Sequence, residues 1–379
     1  MKLGIICDYL EEGWLSMDIC AQMLHDRALK LPNTNINVSQ IRPTFYRRFQ
    51  HLGSVLGKRQ SFNADRFINR YWDYPRYLQS CQRNFDFFHI ADHSYAHLVH
   101  SLPADRTGVF CYDLNAFSSI VEPNEYRGDP IYREMAKRIL SGMQRAAIVF
   151  YCAETVRHQI EKHQLIDPAR LVAAPLGVSP EYKIDPISDD RIAIDLEKQL
   201  QGKPFILHVG SCVPRKRIDL LLDIFAQLRD RLPELTLVKV GGEWSQSQKQ
   251  QITALNIGES ILHLTQLTNL TIAALYQKSA LVLMTSEAEG FGLPVIEALA
   301  CGSIVIASDI PVLREVGGDA VIYCPVGDIS IWVDRAQAAI VRSDFVPSLE
   351  LRLARSALYC WEKHARLVMN SYSEIESKI

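Results

Sequence analysis

Short, continuous apolar runs rich in Val, Ile, Leu and Phe recur along the chain, and each is followed by a helix-length amphipathic stretch. In the first half the runs lie at residues 2 to 7, 36 to 41, 87 to 91, 107 to 112, 147 to 152 and 171 to 175. In the second half they lie at 205 to 210, 235 to 240, 261 to 264, 281 to 284, 304 to 307 and 321 to 323. Continuous rather than alternating hydrophobicity predicts strands covered on both faces, the habit of parallel sheets flanked by helices. The expected fold class is therefore α/β, with two tandem Rossmann-like doubly wound domains facing a cleft. A polar, proline-marked segment from Leu176 to Lys203, with Pro180, Pro186 and a run of Asp and Glu, breaks the alternation near the middle and is the expected linker.

Length agrees with two cores, since 379 residues exceed the roughly 250 to 300 at which a single core stops growing. With 48% hydrophobic and 22% charged residues and a net charge of -2, the chain reads as folded rather than disordered. That charge balance, with no recognised binding module, argues against a nucleic-acid partner. The nine cysteines are scattered through apolar runs without a C-x-x-C pair, which predicts reduced thiols in a cytosolic protein. The opening apolar run meets Asp8 too early for a signal peptide, and no stretch offers about 18 uninterrupted apolar residues. The expected location is cytoplasmic, with peripheral contact at the inner face of the membrane left open.

In parallel sheets ligands gather beyond the carboxyl ends of the strands. There the sequence places Ser286-Glu-Ala-Glu-Gly-Phe-Gly-Leu-Pro-Val-Ile-Glu-Ala-Leu-Ala-Cys-Gly302. Leu281 to Thr285 is a predicted buried strand, Pro294 suits a first helical turn, and Gly302 closes the helix after Ala300. Gly290, Phe291 and Gly292 then form a turn whose amides, with the helix N-terminus, suit a phosphate or diphosphate. Carboxylates would repel that anion, so Glu289 and Glu297 better accept hydrogen bonds from neutral hydroxyls; each could equally be an ordinary loop or first-turn charge.

The segment Glu289-Gly-Phe-Gly-Leu-Pro-x-x-Glu297-Ala-x-Ala-x-Gly resembles the Glu-x7-Glu signature of glycosyltransferase family 4, retaining enzymes of GT-B fold that use activated sugars. The core of Phe205 to Phe225, with Val209-Gly210, Pro214, Lys216, Leu221-Leu222 and Phe225, is similar to a second segment of that family. The resemblance implies that Glu289 contacts donor-sugar hydroxyls, Phe291, Gly292 and Leu293 the sugar and diphosphate, and Glu297 the ribose. It implies that Lys216 binds the diphosphate and stabilises its growing charge. Where many relatives have an arginine after the glycine this chain has Ser211, and Arg215 is the candidate replacement. Val240-Gly241-Gly242 resembles the strand end that borders the base, which makes Gly242 a donor-binding candidate.

In the first half Gly13 is the candidate for close approach to the diphosphate, and His93 is the candidate catalytic histidine; Tyr112, beside Asp113, competes with His93 for the donor sugar. The expected domains are 1–180 for the acceptor, 181–360 for the nucleotide-sugar, and a helix at 361–379 crossing back to the first domain. The implied activity is metal-independent, retaining hexosyl transfer from a UDP-, GDP- or ADP-sugar to a glycan, lipid-linked or small-molecule acceptor, with no cofactor. A non-catalytic GT-B subunit and a sugar epimerase are the alternatives. His89, His93, His97 and His100 have helix-like spacing, but no H-E-x-x-H accompanies them and no metal is expected. Residues 40 to 85 carry nine basic against two acidic residues with interleaved aromatics, a composition suited to anionic lipid headgroups or to a helical insert with solvated arginines.

Overall fold

The computed structural model describes residues 1–32, 36–52, 57–123, 129–185, 198, 200 and 202–378. The acidic run of the expected linker, and Pro186 with it, lies outside the described residues. The chain forms two compact units, Met1–Leu176 with Trp361–Ile379, and Gly177–Cys360.

In the first unit the strands are β1 (Lys2–Ile6), β2 (Asn37–Ile41), β3 (Phe87–Ile90), β4 (Thr107–Cys111), β5 (Ile148–Tyr151) and β6 (Leu171–Ala173). They pair in the order β2-β1-β3-β4-β5-β6, all parallel. In the second unit β7 (Phe205–Val209), β8 (Thr236–Val240), β9 (Ile261–Leu264), β10 (Leu281–Met284), β11 (Val305–Ser308) and β12 (Ile322–Cys324) pair in the order β12-β11-β10-β7-β8-β9, again all parallel. Every strand coincides with one of the apolar runs.

Sequestration of both sheet faces explains the unbroken hydrophobicity. On the second sheet Leu221, Leu222 and Phe225 of the helix Ile218–Arg231 pack with Trp332 and Val333 of the helix Ile329–Val341 over Ile206, Leu237 and Leu283. Each such side chain contributes about 1.5 to 3 kcal/mol of burial. The last helix, Trp361–Glu376, belongs to the first unit: Tyr372 is fully buried, and its hydroxyl donates to Phe88 O at 3.0 Å and lies 3.1 Å from His89 Nδ1.

Each sheet has one point where the chain changes direction of winding: between β1 and β3 in the first, between β7 and β10 in the second. Loops leave such a point in opposite directions and open a crevice at the strand ends. The candidate residues collect at these two places.

Candidate functional site

In the second unit, β7 and β10 are neighbours, so the loops that follow them meet. Main-chain and side-chain bonds stitch the loops together. Glu287 N donates to Arg215 O at 2.9 Å, Thr285 Oγ1 to Lys216 O at 2.9 Å, and an Arg215 guanidinium N–H to Ala288 O at 2.9 Å. The stitching brings Lys216, only 7% exposed, against Glu289, whose side chain is 6% exposed. Lys216 Nζ donates to one carboxylate oxygen of Glu289; Arg215 donates to the other at 2.9 Å, and Ser286 Oγ to the first at 2.7 Å. Burial alone would raise the Glu289 pKa, but Lys216, Arg215 and the Ser286 hydroxyl outweigh it and hold the carboxyl ionised, below its usual range.

The turn after Glu289 has the conformation its glycines allow. Gly292 has φ 95° and caps the helix Leu293–Ala300, with Pro294 in its first turn; a Cβ there would lie 2.7 Å from Leu313 Cδ2. Gly290 is half-buried. The Phe291 ring is buried edge-on against Tyr359, 5.4 Å between centroids, which leaves its main chain rather than its ring on the loop surface. Glu297, one helical turn on, accepts from Tyr276 Oη at 3.2 Å, and burial lifts its pKa to about 7 despite that bond. Gly242, φ 67°, ends β8 so close to the β7 loop that a Cβ would lie 2.6 Å from Cys212 N. Lys239, which the sequence reading passed over, is fully buried under this pair of loops.

The first unit's winding point is of a different character. Asp8 follows β1 and Asp92 and His93 follow β3; all three are under 7% exposed. Burial and the neighbouring Asp92 charge raise the Asp8 pKa well above the carboxylate range. Asp92 is held low against its burial by His93 and by Ser94, whose N and Oγ donate to it at 2.9 and 2.5 Å. His93 Nδ1 lies 3.4 Å from Asp92, His93 Nε2 lies 3.9 Å from Asp113, and the ring rests 5.8 Å from Phe117. Tyr112 instead turns into the core onto Phe110, 4.6 Å away. Gly13 closes the turn Leu10–Glu12 with φ 73°, exposed, with nothing within 4 Å of where a Cβ would stand. Beside it Glu12 binds the buried Arg70 through both oxygens and accepts from Tyr95 Oη at 2.9 Å.

Arg70 comes from the basic segment, which folds as the helix Lys58–Ile68, a π-helical turn Asn69–Asp73 and the helix Tyr74–Cys81. The extra residue of the π turn points both Asn69 and Arg70 inward and leaves Phe67, Trp72 and Arg76 exposed on successive turns. The aromatics divide: Phe45 and Tyr74 are buried, whereas Tyr46, Phe67, Trp72 and Tyr77 are exposed. The arginines divide too, Arg42 pairing with Asp18 and Arg48 with Asp73, while Arg76 stacks over Trp72. Among the described residues no helix is long and apolar enough to cross a membrane.

Residues 191–341 match the family described as glycosyl transferases group 1. The chain is 28% identical over 296 residues to the serotype-specific mannosyltransferase WbdA of Escherichia coli, a match covering 75% of this chain and 36% of that one. The chain thus spans about a third of the length of that relative. It is 28% identical over 287 residues to the O-antigen chain mannosyltransferase B of Escherichia coli, covering 73% of this chain and 72% of the relative. Among solved structures, Anabaena HepE in complex with UDP and glucose superposes with a TM-score of 0.73 at 16% identity, over 99% of this chain and 100% of the other. The fold is that of the GT-B structures.

Proposed function

We propose that this protein is a retaining glycosyltransferase that moves a hexosyl group from a nucleoside-diphosphate sugar to a glycan, lipid-linked or small-molecule acceptor. The observation that carries this reading is the β7/β10 winding point, where Arg215 and Lys216 sit with the Gly290–Gly292 turn beside an ionised, buried Glu289. Cations and turn amides suit a diphosphate, and a fixed carboxylate suits sugar hydroxyls. The mannosyltransferase relatives and the UDP and glucose bound by HepE favour the same ligand.

In this reading the acceptor oxygen attacks the anomeric carbon as the bond to the β-phosphate oxygen breaks, and the departing diphosphate keeps the electron pair. The acceptor proton passes to a diphosphate oxygen on the same face, so configuration is retained. Lys216 and Arg215 stabilise the charge gained by the leaving group. Glu289, neutralised by both, is a poor nucleophile and orients the sugar; Glu297 faces the ribose, and Gly242 borders the base. In the first unit His93 and the carboxyls around it suit hydroxyl-bearing groups. The exposed stripe of Phe67, Trp72 and Arg76 suits an anionic membrane surface carrying the acceptor.

A thermal-shift screen against UDP-, GDP- and ADP-sugars tests the donor. One of them is expected to raise Tm by mass action and to be consumed in the presence of acceptor. No shift with any of the three sinks the reading.

A further inference from the structure

Lys239 stands in the apolar strand β8 with no exposed surface. A buried ammonium costs several kcal/mol unless it is paired, and among the described residues no carboxylate lies within ion-pair distance of it. Its Nζ instead donates to three main-chain carbonyls, Gly210 O at 2.6 Å, Val240 O at 3.1 Å, and Gly241 O. These carbonyls end β7 and β8, on the flank of β7 opposite β10.

A trans peptide sets its C=O and N–H on opposite sides. The ammonium's hold on Gly210 O and Gly241 O therefore turns the amides of Ser211 and Gly242 away from it, and neither amide makes a hydrogen bond among the described residues. The two peptides are pressed together, since a Cβ on Gly242 would lie 2.9 Å from Ser211 Cα. His208, Lys239 and His263 form one row across the sheet. The outer two brace the arrangement: His208 Nδ1 donates to Leu283 O at 2.9 Å, and His263 Nε2 lies 2.7 Å from Gly242 O.

We infer that Lys239 is a positioning residue of the donor site, a fixed positive charge behind the Gly210–Ser211 and Gly241–Gly242 peptides that aims their amides at the donor diphosphate. The inference rests on the nucleotide-sugar reading above. Paired backbone amides backed by a cation form an anion-binding concavity without a side chain entering it.

Calorimetric titration of wild type, Lys239→Met and Lys239→Gln with UDP, GDP and ADP and with their monophosphates separates charge from packing. For the preferred base, Lys239→Met is expected to lower the ratio of diphosphate to monophosphate affinity by about tenfold. Lys239→Gln, which keeps a donor to the carbonyls without the charge, is expected to do the same. An unchanged ratio in either folded variant overturns the inference and leaves Lys239 a strand-end staple. Wild type that prefers none of the three diphosphates overturns the donor reading itself.

Should neither variant fold, the wild-type ratio is followed from pH 7 to 9.5. Burial pushes the Lys239 pKa down to about 8. The groups facing it are Cys212, Lys216 and His208, with His263 and Glu243 beside the loop. Cys212 is pushed upward by its own burial. The ratio is expected to fall through this window in a Cys212→Ala background as in wild type; a flat profile overturns the inference.

Discussion

The two winding points share a topology and differ in charge. At β7/β10, with the adjoining β8 loop, Arg215, Lys216 and Lys239 stand around the ionised Glu289, Arg217 and Glu287 pair beside them, and glycines expose backbone amides. At β1/β3, three carboxyls, Asp8, Glu12 and Asp92, meet Arg70 and His93, and the amides of Tyr95 and Ser94 are spent inside the protein. The fold supplies the crevice in both; the side chains decide what enters. A diphosphate belongs where positive charge is in excess, and neutral hydroxyl-bearing groups where carboxyls are.

The largest expected effect breaks the cationic point. Glu289→Gln keeps the shape but removes the charge that orients the sugar, and transfer is expected to fall by about a hundredfold. Binding of the nucleoside diphosphate alone should hold or tighten, because Lys216 and Arg215 are released from their partner. Steady-state turnover beside diphosphate titration checks both halves.

At the acidic point the two aspartates should respond unequally. Asp92→Asn removes the charge that His93 and two Ser94 donors face, and is expected to cost about 1 to 3 kcal/mol in urea unfolding. Asp8, whose pKa burial and the Asp92 charge push upward, should tolerate Asn within about 0.5 kcal/mol. Equal costs would show that the pair does not divide its charge in this way.

Glu297 gives a pH signature. Its folded pKa, about 7, lies above the ordinary 4.5, so the folded state holds a proton that the unfolded chain has lost, and its contribution to stability falls as pH rises between those values. Glu297→Gln should therefore leave stability unchanged below pH 4 and raise it by about 3 kcal/mol above pH 7. Paired chemical-denaturation curves at the two extremes check the sign.

The smallest effect concerns the exposed stripe of the first unit. Trp72→Ala with Arg76→Glu is expected to reduce co-sedimentation with anionic phosphatidylserine vesicles about fivefold while leaving soluble donor binding unchanged. Equal sedimentation would remove the membrane from the account.

Much of this was legible in the residues. The strands of the described residues fall on the apolar runs, most clearly the central ones, where burial on both faces leaves no alternation to confuse with a helix, and Gly292 and Pro294 mark the start of their helix. Partnerships were less legible. The sequence suggested Lys216 and Glu289 separately for phosphate and sugar, but their ion pair spans 73 residues and appears only once β7 and β10 are neighbours. Asp8 and Asp92 are as distant in sequence. Lys239 reads as a polar interruption of a strand until the carbonyls around it are seen. The basic segment looked uniform, and the π turn divides it into inward and outward residues that composition does not distinguish.

The central claim is that Lys216 holds the donor diphosphate at the β7/β10 point. Calorimetric titration of Lys216→Ala with the preferred nucleoside diphosphate, on protein shown by circular dichroism to be folded, tests it most directly. Affinity is expected to fall at least about thirtyfold relative to wild type; a dissociation constant equal to that of wild type would contradict the claim.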